Sequence, residues 1–412
     1  MLSRDQKSKV LGLGRWQGRT DWPLGWIRSV TEVKLLGFVV CARYQETSQR
    51  TWEVVVRSFE RTLYAWGSRT LPTLQQRVTV LQRFALSKLW YVAQLLPLPS
   101  SVAKKIESKM SSFIFQGRPE RLKLSEIENS SENGGLGLTC VVTKSECLLL
   151  RQSLRVLARP EETCSRHLGL WLGSHLQVTF PHLAQGGLPA SGLLPQYPLH
   201  TAMLETLLEG LARQDFQPEE LELATTKAIY QSRSEDVFLP PKVEGKYPAV
   251  EFKTTVYPRL AYRILEPEPR DTLFSLVHGL VHNKQRMFLQ QRAQDPYCPL
   301  PDCQGLPQDV EHLFCSCCLV AEAWAWLHFK LLNLLPGTLV ATTNTEFLLL
   351  QFPVDIMDQE VTWLLGNYCN IVVNTVTGRK KKLGAEVLAG RLRGRLQKLR
   401  GRAVVQPQLY NL

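Results

Sequence analysis

Four residues in the last third of the chain are of types that bind metal ions. Their spacing is C-x4-C-x8-H-x4-C, and all four fall within 20 residues. Zn²⁺ is held by thiolate and imidazole donors, and four such donors complete the tetrahedral set of a structural site. Because no coordination position is left open, a catalytic zinc is not expected. The sequence predicts one structural Zn²⁺, held by Cys298, Cys303, His312 and Cys317.

Two further thiols leave the identity of the fourth ligand open. Cys315 and Cys318 lie beside Cys317, and either could replace it. An alternative interpretation is a group of buried or exposed thiols that binds no metal. The clustering of these residues in a chain with ten cysteines among 412 residues favours the metal.

Turns and helices are predicted to position the metal-binding residues. Prolines and a glycine between residues 299 and 305 place the first cysteine pair on a turn. A helix that begins near Val310 would present the histidine and the last cysteine to that turn. Upstream, a helix is predicted from Asp271 to about Gln291, and a strand-like segment from about Val250 to Tyr257.

Two kinds of apolar periodicity divide the N-terminal third. The first forty residues are predicted to form short strands and turns, with a continuous buried strand from Val33 to Cys41. Apolar residues then recur at helical spacing and predict an amphipathic helix from Glu46 to Trp66. A second helix is predicted from about Thr73 to the residues before Pro97, and a third carries apolar residues from Val102 to Ile114. Short connections make these three helices an antiparallel bundle.

Charge is unevenly distributed along the chain. Residues 1–125 hold 21 Lys/Arg against 8 Asp/Glu, and residues 378–412 hold 10 against 1, so the middle is acidic within a total of +12. Two basic ends indicate a polyanionic partner, whereas the alternative is a pair of solvated helix faces. Phosphate contacts that follow a backbone without reading bases are predicted for Arg50, Arg57, Arg61, Arg77, Lys88, Lys104, Lys105 and Lys109.

Membrane spans and export are not expected from the sequence. Its apolar stretches, such as residues 34–41, fall far short of the roughly 20 residues needed to cross a bilayer. The first residues lack the apolar core of a signal peptide. We therefore expect the cysteines in a reducing compartment, the nucleus or the cytoplasm, and the basic run Arg379–Lys382 is typical of a nuclear signal.

Several short motifs occur in a fixed order between about residues 7 and 330. They are Lys7–Val10, Glu32–Phe38, Trp52–Trp66, Arg77-Val78, Ala85–Tyr91 running to Pro97-Leu98-Pro99, Phe113–Arg118, Gly134–Leu138, and the cysteines with Glu311–Phe314. Each motif is weak alone, but their order is specific. Together they resemble the C-terminal part, thumb and zinc knuckle, of the reverse transcriptase of a non-LTR (LINE-type) retrotransposon.

The resemblance implies a mainly α protein with a short β remnant of a polymerase palm edge. A turn at Leu36-Gly37 would lie near the primer grip. The implied division is a palm-edge and primer-grip remnant at 1–45, a helical thumb at 46–125, a helical connector at 126–270 with a Pro/Gly-rich loop near 181–200, a zinc-knuckle region at 271–335, and C-terminal helices with a basic tail at 336–412.

Nucleic-acid binding without catalysis is the function that the resemblance implies. In the family the thumb grips the template–primer duplex and the knuckle engages RNA or target DNA. On that analogy Tyr297, Trp324 and Trp326 are candidates to stack on bases, although such residues are more often core. Nucleotide addition needs paired carboxylates for two Mg²⁺ ions, and the sequence contains no Asp-Asp pair. The family's endonuclease, fingers and catalytic palm have no counterpart in these residues.

The sequence therefore favours a truncated, non-catalytic reverse transcriptase fragment that binds RNA, DNA or their hybrid. The alternative is a decayed or co-opted zinc-containing module without nucleic-acid function, which would bind a protein partner through the acidic middle. A subunit that completes a polymerase in trans has no support in the sequence.

Overall fold

The computed structural model describes residues 9–22, 28–117, 122–157, 162–163, 166, 225–236, 240–303, 305–334, 343–352, 357–377 and 382–399. Helices predominate in this part of the chain, so the predicted mainly α class is confirmed. The predicted loop near 181–200, Arg118 and most of the basic run at 379–382 lie outside the described residues. No helix in the described ranges is long and apolar enough to cross a membrane.

The elements in chain order are short strands followed by helices. The strands are β1 (Lys9–Val10), β2 (Arg28–Ser29), β3 (Glu32–Leu35) and β4 (Phe38–Cys41). The α-helices are α1 (Tyr44–Gly67), α2 (Leu74–Val80), α3 (Ser87–Ala93), α4 (Ser100–Phe115), α5 (Leu124–Glu128), α6 (Val141–Leu157), α7 (Thr226–Asp236), α8 (Lys242–Lys246), α9 (Tyr257–Leu260), α10 (Pro267–Val277), α11 (Lys284–Leu289), α12 (Ala321–Leu334), α13 (Asn344–Leu348), α14 (Asp358–Val372) and α15 (Ala385–Leu399).

The chain divides into two compact units, each built from separate stretches. The first contains residues 1–70, 78–119 and 139–238, and the second contains residues 71–77, 120–138 and 239–412. The division into five segments predicted from the sequence remains a prediction.

In the first unit, β3 and β4 form an antiparallel hairpin. Leu36 and Gly37 both have positive φ (47° and 87°), as a two-residue type I′ turn requires. The prediction of one continuous buried strand from Val33 to Cys41 is therefore wrong, and the turn that the resemblance implied is present. The unbroken apolar run suggested a buried strand, but Leu35 and Leu36 lie at the tip of the hairpin, where they are 58% and 77% exposed.

Helix α1 packs along β4 and along the helices that follow it in the first unit. Its buried stripe contains Trp52, Phe59 and Leu63, as the periodicity predicted. The indole N–H of Trp52 donates a hydrogen bond to the carbonyl of Pro97 (3.0 Å), which fixes the end of the next helical run. That run is α2, a π-helical turn (Leu81–Ala85) and α3 in succession. The predicted helices of the bundle are thus confirmed.

One strand prediction and one helix prediction in the second unit are corrected. The segment predicted as a strand from Val250 to Tyr257 is helical, with a π-helical turn (Phe252–Val256) that leads into α9. Its buried residues Phe252, Val256 and Tyr257 follow a helical period, but the short β-branched run obscured it. The single helix predicted from Asp271 to Gln291 is two helices.

The break between α10 and α11 has local causes. Gly279 adopts a positive φ (62°) just after α10, the usual helix-ending conformation. Asn283 then caps α11, because its side-chain oxygen accepts a hydrogen bond from the N–H of Arg286 (2.8 Å). These two residues turn the chain before it enters the cysteine-rich segment.

Helix α14 is the centre of the second unit. Nearly all of its residues are buried, and it packs against α10 and α15. The hydroxyl of Tyr368 on α14 donates a hydrogen bond to the carbonyl of Phe314. This contact anchors the segment that carries the second pair of candidate metal ligands to the core of the unit.

Candidate metal centre

The four predicted zinc ligands lie together in the second unit. One ligand atom from each of Cys298, Cys303, His312 and Cys317 falls within 4.8 Å of the other three, and all four residues are buried. The Sγ atoms of Cys303 and Cys317 are 3.9 Å apart. Sulfurs bound at about 2.3 Å in tetrahedral positions are separated by about 3.8 Å. The cluster therefore fits a Cys₃His zinc site.

A hydrogen-bonded turn presents the first two cysteines. The N–H of Cys298 donates to the carbonyl of Leu306 (2.8 Å), and the N–H of Leu306 donates to the carbonyl of Cys303 (3.0 Å). Gly305 within this turn has a positive φ (72°), which glycine adopts without strain. The predicted turn is confirmed.

A π-helical turn presents the other two ligands. It spans His312–Ser316, and the N–H of Cys317 donates to the carbonyl of His312 (2.8 Å). This hydrogen bond joins residues i and i+5, as in a π-helix, and it brings the side chains of His312 and Cys317 to the same side of the turn. The carboxylate of Asp309 accepts from the N–H of His312 (2.7 Å) and holds the start of the turn. The prediction of a helical segment from Val310 onward is confirmed, and this segment ends at Ser316, so that Cys317 itself is extended.

The imidazole of His312 is oriented as a metal ligand would be. Its Nε2 atom is buried and has no hydrogen-bond partner. Its Nδ1 atom lies 3.4 Å from the hydroxyl of Ser316. A metal ligand commonly uses one ring nitrogen for the ion and the other for such a partner. An unpartnered buried nitrogen is otherwise unfavourable, so the ring geometry supports a bound cation.

Backbone N–H groups point at the three sulfurs. Burial raises the pKa of Cys298 and Cys317, while N–H groups of Leu300 and Leu319 donate to these sulfurs and oppose the rise. Burial also acts to raise the pKa of Cys303, but hydrogen bonds from Cys318, and then from Cys298 and Cys317, together outweigh it and the pKa is lowered. N–H donors of this kind favour thiolates, the form that binds zinc.

The spare thiols do not complete the cluster. Cys315 is buried, and burial followed by the nearby thiol of Cys369 raises its pKa. Cys318 lies beside Cys303 but outside the set of four. The structure thus places Cys317, rather than either neighbour, with the other three ligands. Sequence spacing missed Gln308, whose Nε2 lies 3.8 Å from the sulfur of Cys298.

The three candidate stacking residues occupy different surroundings. Trp324 is core, 7% exposed, with its ring against Phe347 and Tyr368. Its proposed stacking on bases is therefore corrected. Tyr297 is 48% exposed, and Trp326 is half-buried.

Predicted phosphate-contacting residues gather mainly on α1 and α4 of the first unit. Arg50 and Arg57 lie 3.8 and 3.6 Å from Glu53, and Lys105 and Lys109 lie 3.3 and 3.8 Å from Glu60. Two glutamates therefore lie among the basic residues. The exposed cations that form no ion pair within the described ranges include Arg61, Lys88 and Lys104.

Arg77 differs from the other predicted contacts. Its guanidinium donates to the carbonyls of Leu71 (2.9 Å) and Pro72 (3.0 Å), so it stabilises the chain that precedes α2. One residue that the sequence analysis missed is Tyr64, three residues after Arg61 on α1 and 86% exposed. Helical spacing places it on the arginine face, a signal that was readable from the sequence.

No family model matches the chain, and no curated protein is similar to it at a significant level.

Proposed function

We propose that this chain binds nucleic acid through a basic surface on α1 and α4, and that a structural Zn²⁺ holds its Cys₃His segment. We call this the α1/α4 surface and define it by Arg50, Arg57, Arg61, Lys104, Lys105 and Lys109. The observation that carries the proposal is that Lys105 and Lys109 of α4 both reach Glu60 of α1. The basic side chains of the two helices therefore form one continuous surface.

The ion pairs on this surface are easily exchanged. Arg50, Arg57, Lys105 and Lys109 have side chains more than half exposed, and their distances to glutamate are 3.3–3.8 Å. Exposed pairs of this kind contribute about 0–1 kcal/mol each. A phosphate that approaches can therefore replace a glutamate as partner at little expense. The glutamates orient the cations in the free protein.

Recognition on this surface is of the nucleic-acid backbone. Arginines and lysines on the exposed side of two helices contact phosphates and carry no base-reading geometry. Tyr64 adds an exposed aromatic ring on the same side of α1, and a ring beside cations can stack on an unpaired base. We expect weak sequence preference and strong salt dependence.

We also propose that this binding is not coupled to polymerisation. Two-metal nucleotidyl transfer needs neighbouring carboxylates. The sequence has no Asp-Asp pair. The role of the Cys₃His cluster is structural, because its four donors leave no position for substrate or water.

A salt titration of duplex binding tests the proposal. With four to six phosphate contacts, log affinity for duplex DNA falls against log salt with a slope of roughly −0.9 per contact. Arg57→Gln with Arg61→Gln lowers both the affinity and the magnitude of the slope by about two contacts. Arg263→Gln, an exposed arginine of the second unit, is the matched control and leaves both unchanged.

Two outcomes would reject the proposal. One is a slope near zero, or no binding at low salt, which would favour a protein-interaction module. The other is an equal loss of affinity in Arg263→Gln and in the α1 variant, which would assign binding to diffuse charge.

A further inference from the structure

A small cavity lies between three helical segments of the first unit. Its volume is about 50 Å³, and it is lined by Gln94 just after α3, by Leu148, Arg151, Gln152 and Arg155 of α6, and by Thr226 at the start of α7. Five of these six side chains are polar, and two are arginines. No carboxylate lines the cavity among the described residues.

None of the described residues is a hydrogen-bond or ion-pair partner of the polar side chains in this cavity. Within the described part of the chain, neither arginine forms a hydrogen bond or an ion pair, and the same is true of the side chains of Gln94, Gln152 and Thr226. The Nε atom of Arg151 is buried without a hydrogen-bond partner. A buried guanidinium nitrogen without an acceptor is destabilising, so an unpartnered group here points to an acceptor other than the described residues.

The positions of the nearby positive charges favour an anion in this cavity. Arg151 and Arg155 are spaced by four and lie on one face of α6, and Lys144 lies on the same face two turns earlier. Burial, and then the charge of Arg151, lower the pKa of Lys144, although the nearby Cys147 acts in the opposite sense. The first turn of α7, with N–H groups directed outward from its start, adds a partial positive charge beside Thr226.

Direct contacts hold the walls of the cavity in place. The N–H of Cys140 at the start of α6 donates to the hydroxyl of Tyr230 on α7 (2.9 Å). Arg233 of α7 is 1% exposed and pairs with Glu146 of α6 at 3.2 Å. Two contacts along one helix pair fix the distance between α6 and the start of α7. The cavity is therefore preformed and does not need a ligand to assemble it.

We propose that this cavity binds one phosphate group, with Arg151 and Arg155 as its charge-assisted donors. Guanidinium groups bind phosphate oxygens in pairs with fixed geometry. Gln94, Gln152 and Thr226 supply neutral donors on the remaining sides. A volume of about 50 Å³ matches a single tetrahedral anion. None of its residues belongs to the α1/α4 surface, so the inference does not depend on the proposed function.

Inorganic phosphate is the probe. The full chain is titrated with phosphate at constant ionic strength, with chloride as the balancing anion, and followed by calorimetry and by thermal unfolding. Phosphate raises the unfolding temperature of the wild-type chain. Arg151→Gln and Arg155→Gln each weaken phosphate binding by about ten- to hundredfold. Arg263→Gln, an exposed arginine of the second unit, keeps the wild-type response and serves as the matched control.

A folding defect would be recognised separately. Because Arg151→Gln removes a buried nitrogen that has no partner, this variant is at least as stable as wild type in phosphate-free buffer. Stability retained together with a lost phosphate response supports the site. An unchanged phosphate response in both variants, or a wild-type response that chloride reproduces, overturns the proposal.

Duplex binding by the same variants identifies the source of the phosphate. If Arg151→Gln loses the phosphate response and also binds duplex more weakly, the site takes a backbone phosphodiester. If it loses the phosphate response with duplex affinity unchanged, the site takes a free or terminal phosphate. Failure of the proposed function would show in Arg57→Gln with Arg61→Gln, so the two proposals fail independently.

Discussion

The ring of Tyr257 fills the space where a side chain on Gly134 would lie. A Cβ at residue 134 would come within 2.4 Å of the Cζ atom of Tyr257, and Gly134 has a positive φ of 76°. His278 stacks on this ring, with centroids 6.4 Å apart and planes 6° apart. The glycine-rich turn that the sequence singled out therefore forms part of the packed interior of the second unit.

Gly134→Ala should destabilise the second unit strongly. The left-handed backbone costs a non-glycine residue about 1–2 kcal/mol, and the clash with a buried ring adds about 1–3 kcal/mol. We expect a loss of roughly 2–5 kcal/mol in the free energy of unfolding, measured by denaturant titration. Gly137→Ala is the matched control, because it has a positive φ of 66° and no atom within 4 Å of its Cβ. Equal losses in the two variants would mean that the ring contact contributes nothing.

His278 should make the second unit sensitive to acid. Burial lowers the pKa of this histidine from 6.5 to about 4, although its hydrogen bond to Gly134 acts in the opposite direction. Above pH 6.5 the imidazole is neutral in both the folded and the unfolded state, so no stability is lost. As the pH falls from 6.5 towards 4, only the unfolded state binds the proton, so stability declines by up to about 3 kcal/mol.

Protonation of Asp271 should raise the stability of the second unit over much the same pH range. Burial raises its pKa from 3.8 to about 6, against the N–H of Leu74 and the charge of Arg77. The folded state therefore takes up this proton first as the pH falls from 6. Because the two effects largely offset each other in the wild-type chain, His278→Phe should leave only the gain from Asp271, and the variant should become more stable as the pH falls from 6 to 4. An unchanged pH profile of the unfolding midpoint would contradict the assignment.

The buried pair of Arg259 and Asp358 should be needed for the stability of the second unit. Arg259 is 1% exposed, donates to Asp358 at 2.7 Å and also binds the carbonyl of Phe352 at 2.8 Å. Removing one member leaves a buried charge, at a cost of about 3–5 kcal/mol. We expect that loss in each of the single variants Asp358→Leu and Arg259→Met. Arg259→Met with Asp358→Leu should recover much of it in a double-mutant cycle, and additive losses would show that the two charges are not coupled.

Cys303→Ser should release zinc and loosen residues 290–330. Zinc binding at such sites supplies roughly 10–16 kcal/mol, so the segment should depend on the metal for its fold. Zinc content by elemental analysis and protease resistance of this segment are the measurements. Cys318→Ser, beside the cluster but outside it, should keep one zinc per chain. If Cys318→Ser lost zinc and Cys317→Ser retained it, the fourth ligand would be Cys318 and not Cys317.

Glu60→Gln should strengthen nucleic-acid binding. This glutamate is the shared partner of Lys105 and Lys109, and its removal frees two cations and deletes a charge that repels phosphate. We expect affinity for duplex to rise by about two- to fivefold at low salt and by less at high salt, because screening shortens the reach of the charge. Weaker binding by this variant would place the nucleic acid elsewhere.

Local sequence patterns predicted the structure correctly where it depends on one helix or one short segment alone. The stripe of Trp52, Phe59 and Leu63 defined α1, because burying one helix face requires that period whatever packs against it. Four ligand types at close spacing likewise predicted the Cys₃His cluster, because zinc chemistry restricts the donors and a short segment limits their separation.

Tertiary structure decided what depends on distant partners. The run from Val33 to Cys41 has the pattern of one strand, yet α1 packs along β4, and Leu35 and Leu36 lie exposed at a turn. Trp324 proved to be core because α14 places Tyr368 against it. The cavity of Arg151 and Arg155 exists only because α7, about seventy residues downstream, packs on α6. The spacing of apolar residues in the sequence predicts which side of a helix or strand is apolar. Only the tertiary packing determines which other element contacts that side.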